Sequence, residues 1–556
     1  MANTLTQLLL VIGWLSCVKS ATSDDVPNPL DDVIVAFAKG QQLRGVKTRW
    51  VTGESVNRFY GIPYALPPIG SRRFEPPVAA LEWTGVKDAR VPGVICPQTS
   101  KEESQRLQSE DCLTLSVFTP DLNASLPVLV WIHGGGYKAG SQFNDGDAST
   151  LTRYGIVTVS INYRLSPFGF LSTEDDVMPG NYGMLDQVLA LKWVQKNIQS
   201  FGGDPNQVTI GGESAGAFSV SLQCVSPLSK GLFRRAIMES GSSFTLEAVE
   251  RKGKRTQLKD STRAIATSVG CFSNTSSELL LCLKGIDASR LLLAADATEK
   301  SLGNSLLGVP RVETVYGFLP DYPVNLISSG NYSKVDTLRG FNSGEWSFGI
   351  QDEDNDGITK DEFAKQIETT LSYVQNSQVI KTVESSYLNN ETDPIKIRAI
   401  LVSALADLQF GAPSVLELTK IVDQPGTQHY LYEFDYIPSG STRPSWMRVV
   451  HAEERQFVFF DPDWTSRSDS DKTVGQRVQT TWTNFIKYGD PTPPSANSST
   501  GSDVARWSKF SKSNLETLLI EAKSTVVRFP RPFIISLFEQ ILQSLERGSV
   551  SDVIIG

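Results

Sequence analysis

Long apolar runs, clustered positive charge, histidine and internal repetition are all scarce in this chain of 556 residues. Beyond one apolar stretch, "LLLVIGWLSCV" at 8–18, no segment approaches the ~20 apolar residues that a membrane-spanning helix needs, so no transmembrane segment is expected. No run of Lys and Arg breaks an acidic balance of 52 basic against 61 acidic side chains, net −9, which argues against nucleic acid as a partner. No low-complexity segment or repeat stands out. What remains, 40% hydrophobic, 20% charged and 9% aromatic, is the composition of a globular protein with a sizeable core.

The N-terminal stretch is too short to span a bilayer, and the small residues Ser20 and Ala21 follow it at a plausible cut. Residues 1–20 are therefore expected to be a secretory signal, leaving 21–556 as one large domain in an extracellular setting. Cysteine usage fits that compartment. Cys17 leaves with the signal, and two local pairs stand out among the other five: Cys96 with Cys112, and Cys271 with Cys282. Cys224 is left over. Sequons at Asn123, Asn274, Asn331, Asn390 and Asn497 agree with secretion. The final run "FIISLFEQILQSLERG" reads as an amphipathic closing helix that has no cysteine to link chains, and oligomeric state stays open.

Three short β-branched runs, "VLVWI" at 128–132, "IVTVSI" at 156–161 and "QVTI" at 207–210, read as strands buried on both faces. Before the third, Met184, Val188, Leu191, Val194 and Ile198 recur at helical spacing. Strand, helix and strand in succession imply an α/β fold with a mostly parallel sheet covered by helices. The third strand runs straight into Gly212-Glu213-Ser214-Ala215-Gly216, the pattern of a nucleophile elbow. Its glycines are needed because a Cβ there would collide with a neighbouring strand or helix. A serine hydroxyl is a poor nucleophile near neutrality and needs both a base and oxyanion donors. "WIHGGGY" at 131–137 offers the donors, with backbone N–H groups of Gly135 and Gly136 joined by that of Ala215. The base follows by elimination among three histidines. His133 adjoins the glycine run and is expected to shape it, and His429 lies in a strand-like alternation. His451 follows the nucleophile, as the chain order Ser, acid, His requires. The acid is not identifiable this way, because too many carboxylates lie between Ser214 and His451.

The chain resembles the type-B carboxylesterase and cholinesterase family of α/β-hydrolases over nearly all of residues 25–540. The resemblance rests on "FYGIPYALPPIGSRRFEPP", "SEDCLTLSVFTP", "INYRLSPFGFLS", "GNYGMLDQ" and "FGGDPNQVTIGGESAGA", then "SPLSKGLFRRAIMESG" and "WTNFIKYGDP". It implies a serine esterase with Ser214 as nucleophile, His451 as base and no cofactor, acting on a small-molecule ester. It also implies the same two disulfides, and it places the orienting carboxylate at Glu345 within "LRGFNSGEWSF", where Gly344 and Trp346 replace the usual neighbours. Glu213 would either pack the elbow or tune the electrostatics near the base. The loop between Cys96 and Cys112 carries no aromatic residue, unlike the choline-stacking loop of cholinesterases, which favours a general esterase over a choline-ester specialist. A catalytically silent adhesion protein of the same fold is the alternative, and a lipid-ester hydrolase of the family is another.

One motif stands outside this reading. In "DEDNDGITKDEF", Asp352, Asp354, Asp356 and Gly357 match a calcium loop. Its last position, however, is Phe363 where a bidentate Glu is required, Lys360 occupies the ninth position, and turn residues replace the entering helix. No metal is therefore expected. Thr359 and Glu362 instead spell a capping box that opens a helix.

Overall fold

The apolar runs become strands because their backbone groups pair with one another while their side chains meet helices on both faces. The computed structural model describes residues 31–37, 40–250, 255–301, 308–371, 374, 377–461, 467–494 and 506–547. The expected signal segment, with Cys17, and the sequon at Asn497 lie outside them.

The strands are β1 Asp31–Phe37, β2 Gln41–Arg49, β3 Ser55–Pro63, β4 Gly85–Asp88, β5 Thr114–Thr119, β6 Leu126–Ile132, β7 Val157–Ile161, β8 Gly203–Glu213, β9 Arg235–Glu239, β10 Asp336–Asn342, β11 His429–Phe434, β12 Glu516–Ile520 and β13 Thr525–Arg528. They form a single sheet in the order β1-β2-β3-β5-β7-β6-β8-β9-β10-β11-β12-β13, with β4 beside β2. From β7 to β12 all pairings are parallel. Toward either edge the strands run antiparallel, apart from the parallel pairing of β4 with β2. The runs read at 128–132, 156–161 and 207–210 lie in β6, β7 and β8, side by side at the centre.

The helices that matter for the site are α1 Tyr182–Asn197, α2 Ala215–Val225, α3 Lys360–Thr370, α4 Pro394–Ala406, α5 Ala412–Ile421, α6 Asp469–Tyr488 and α7 Phe533–Arg547. α1 starts two residues earlier than its apolar period predicts. Its entry is fixed by Asn181, whose side chain bonds both backbone groups of Arg311. α1, α2, α4, α5 and α7 join the larger core on one face, and α6 covers the other with Val474, Val478, Trp482 and Phe485. The sheet is thus sandwiched between helical layers.

The helical run Pro394–Ile421 is long and apolar enough to cross a membrane, yet 78% of its most apolar window is buried inside the protein, the position of a core helix. It is interrupted at Asp407–Gly411 by a π-helical turn. Asp407 in that turn is tied down by Arg531 and by the Tyr387 hydroxyl at 2.8 Å.

Cys96–Cys112 and Cys271–Cys282 are bonded, and Cys224 is free and buried. Asn123, Asn274, Asn331 and Asn390 are all exposed. The Cys96–Cys112 bridge closes a separation of 16 residues, so replacing both cysteines by serine is expected to cost roughly 3 kcal/mol of stability through the unfolded state. Denaturant titration checks this, and an unmoved midpoint would show that the loop is not constrained by its bridge.

Candidate active site

A tight turn stands at the C-terminal end of β8. Ser214 sits there at φ 56° and ψ −125°, a conformation that an L-residue holds only under strain of about 1–3 kcal/mol. The chain leaves β8 and enters α2 with no intervening loop, so both glycines of the elbow press against β6. A Cβ on Gly212 would lie 2.5 Å from the Ile132 carbonyl oxygen, and one on Gly216 only 2.0 Å from it. The glycine pattern in the sequence is therefore a packing requirement of two adjacent strands.

Two more loops converge on Ser214. The Ser214 Oγ lies 2.9 Å from His451 Nε2, and the Nδ1 of the same ring lies 2.6 Å from Glu345 Oε2. Glu345 is fully buried and is fixed from its other side, where its Oε1 accepts from Ser240 Oγ at 2.5 Å and from the Asn342 N–H at 2.9 Å. The unusual Gly344 has a local cause. Its loop lies flat against the segment leading to His451, Gly344 donates to the Val449 carbonyl at 2.8 Å, and a Cβ would meet the Met447 carbonyl oxygen at 1.9 Å. Trp346 also has a role in the packing. Its ring lies 4.7 Å from that of His451, and Phe410, presented by the π-helical turn, lies 5.1 Å from the same ring. With Trp346 and Phe410 6.2 Å apart, the three rings form a triangle that fixes the imidazole in place.

The other two histidines lie elsewhere. His133 is buried and stacked on Tyr163 at 4.5 Å, and it shapes the glycine loop through its Nδ1 contact with the Gly134 carbonyl. His429 is buried at the start of β11 between Thr337 and Thr427. Burial, reinforced by the Arg339 charge, pushes it down to about 3, so it stays neutral.

In the glycine loop, Gly135 and Gly136 have φ of 100° and 62°. Lys138 and Ala139 both donate to the Gly135 carbonyl at 3.0 Å, which closes the loop into a turn. Among the described residues, the N–H groups of Gly135, Gly136 and Ala215 have no acceptor.

Around this line of side chains the charge is mostly negative. Glu213 Oε1 is 3.3 Å from His451 Nε2. Burial disfavours charge on His451, but Glu345 and Glu213 outweigh it and push the imidazole up to about 9. Burial pushes Glu213 up to about 7 against the pull of His451 and Arg455. Arg455 is bonded to Asp145, whose other oxygen accepts from Trp131 Nε1 at 2.8 Å. Glu454 is wholly buried and receives a bond from Asn342 Nδ2. Burial, then the neighbouring Glu213 and Glu345, push it up to about 8. Of these supporting groups, Ser240 stands in "MESG", where nothing in the local spacing marks it.

The calcium-like loop already holds a cation of its own. Arg398 of α4 is bonded to Asp352, whose carboxylate also accepts from the N–H groups of Asp356 and Gly357. Arg398 is stacked on Trp446 at 4.8 Å. Thr359 and Glu362 form the capping box of α3.

A mostly parallel sheet covered on both faces, with a serine held at the tight turn between a central strand and the following helix, defines an α/β-hydrolase. The carboxylesterase family profile matches residues 31–532. The chain is 34% identical to mouse (Mus musculus) carboxylesterase 1D over 83% of its length and 86% of that protein. It is 35% identical to rat (Rattus norvegicus) liver carboxylesterase 1F over 87% of its length and 90% of that protein. It is 33% identical to a medium-chain fatty acyl-CoA hydrolase precursor of the duck Anas platyrhynchos, over 88% and 89%. The chain belongs to the carboxylesterase family and is an enzyme of that class, a serine carboxylic-ester hydrolase.

Two outcomes follow from the packing and charge of the site. Gly216→Ala should abolish activity, with loss of fold or displacement of Ser214, because the backbone carbonyl of Ile132 leaves no room for a methyl group; an active, stable variant would refute the close-approach reading. Folded Glu454 keeps a proton up to about pH 8 that the unfolded chain releases in the ordinary glutamate range, so its contribution to stability falls as pH rises through that window. Glu454→Gln should therefore gain stability over wild type at pH 8 relative to pH 5 in chemical denaturation, and parallel curves would contradict this.

Proposed function

We propose that the protein is a secreted serine carboxylesterase that works through an acyl-enzyme on Ser214. The observation that supports this most is the unbroken hydrogen-bonded line from Ser214 Oγ through both ring nitrogens of His451 to buried Glu345. In this reading His451 Nε2 takes the serine proton as Oγ attacks the ester carbonyl, and Glu345 holds the tautomer and steadies the imidazolium. The N–H groups of Gly135, Gly136 and Ala215 receive the oxyanion. His451 then gives its proton to the departing alcohol, and water repeats the sequence on the acyl-enzyme.

The substrate class is a neutral carboxylic ester with apolar substituents. Trp346, Phe348, Phe410 and Phe218 surround the base and the start of α2 with aromatic surface. The Cys96–Cys112 loop brings no ring to stack on a quaternary ammonium. Secretion is supported by the N-terminal apolar segment, the two disulfides and the four exposed sequons.

A chromogenic short-chain ester tests the reading. Ser214→Ala should lower kcat on the order of 10⁴-fold or more with its fold intact, and wild type should react stoichiometrically with an organophosphonate at Ser214. Equal ester turnover by wild type and variant would end the proposal.

A further inference from the structure

Behind the serine, the sheet register sets up a row of side chains that the esterase mechanism does not use. Glu213 on β8 pairs in register with Glu239 on β9, Glu239 with Gly340 on β10, and Gly340 with Tyr432 on β11. In-register neighbours on parallel strands present their side chains to one face. Gly340 leaves the space through which Tyr432 leans toward Glu239: a Cβ there would lie 2.2 Å from the tyrosine ring. Glu454 faces this row from the loop that follows His451.

Carboxyls outnumber cations in this row. The groups facing the row are Glu213 from β8, Glu239 from β9, Glu345 from the loop after β10, Tyr432 from β11, His451, Glu454 and Arg455 from one loop, and Asp145 from the loop after β6. α6 contributes only the Trp482 indole, which donates to Glu239 Oε1 at 2.7 Å. Arg455 is committed to Asp145, and Glu345 to His451. Among the described residues, Glu239 and Glu454 are then left with no cation of their own, and Glu213 shares those of others, with His451 Nε2 at 3.3 Å and Arg455 Nε at 3.9 Å. All three are buried, and three neighbouring carboxylates with so little counter-charge cannot all be ionised. Their hydrogen-bond accounts point the same way. Among the described residues, Glu239 Oε2, Glu454 Oε1 and Asn342 Oδ1 are buried acceptors without a donor, and the Tyr432 hydroxyl is a buried donor without an acceptor.

We propose that Glu213, Glu239 and Glu454 share protons as one buried set, completed by Tyr432 and Asn342, and that this set fixes how strongly His451 holds its proton. At neutral pH the three carboxyls carry a single negative charge between them and two protons, each donated to a neighbouring carboxyl or amide oxygen. Glu213 touches the imidazole, so the share of negative charge that it carries sets the base strength. Glu239 and Glu454 are positioning residues that act through it. The kinetic part of this inference rests on the esterase reading above; the protonation part does not.

Infrared spectroscopy of the full-length protein reads the protonation directly. Wild type at pH 7 should show the carbonyl stretch of protonated carboxyl groups, reduced in Glu239→Gln and in Glu454→Gln. Absence of the band in wild type would overturn the proposal, and wild type alone suffices if a variant does not fold. The acid limb of kcat/KM reads the coupling. Glu213→Gln removes the charge beside Nε2 and should move the limb to lower pH. Glu239→Gln and Glu454→Gln remove competitors for that charge, leave more of it on Glu213, and should move the limb to higher pH, each by about half a unit. A purely structural role would scale kcat without moving the limb, and that result would overturn the link to His451. Loss of all ester turnover that depends on Ser214 would defeat the esterase reading while leaving the infrared result to judge the shared protons.

Discussion

The whole site depends on the approach of β6 to the turn after β8. The Ile132 carbonyl lies so close to Gly212 and Gly216 that neither residue can carry a side chain, and in return the turn can be tight enough to hold Ser214 proud of the sheet in a strained backbone conformation. The other parts are placed around that fixed point. Because β6 is the strand that presses on the elbow, the glycine loop continuing from it is delivered to the same spot, and the Ala215 N–H at the start of α2 meets it there. One backbone contact thus brings Ser214 and the N–H groups proposed to receive the oxyanion together without relying on flexible side chains.

Negative charge is the second organising feature. Glu213, Glu239, Glu345, Glu454 and Asp145 surround one histidine and one arginine, an arrangement whose cost is kept down by leaving some carboxyls neutral. In the proposed mechanism such a surrounding suits His451, since its cation forms where negative potential already exists. The triangle of Trp346, Phe410 and His451 adds ring faces to that environment.

How much of this the sequence disclosed depends on how local each signal is. The central strands, the elbow and the glycine loop were legible because each is a short pattern with one physical cause. His451 was legible because histidines are few. Glu345 emerged only through family resemblance, since its selection depends on where the loop after β10 falls in space. Glu239, Ser240 and Asn342 were not distinguished at all, because sheet register and loop docking bring them together, and neither is written in neighbouring residues. The acidic loop at 352–357 was legible only in part, for the opposite reason. Its spelling records suitable ligands for a cation but not the occupant, and Arg398, 46 positions away, fills that place.

The distances along the chain carry a consequence of their own. Ser214 and its histidine are 237 residues apart, and that histidine and Glu345 are 106 apart. In the proposed mechanism, any form of the chain ending ahead of His451 therefore carries Ser214 with nothing to activate it. Under the proposed mechanism, the nucleophile meets its base only when the segment carrying His451 docks onto the sheet.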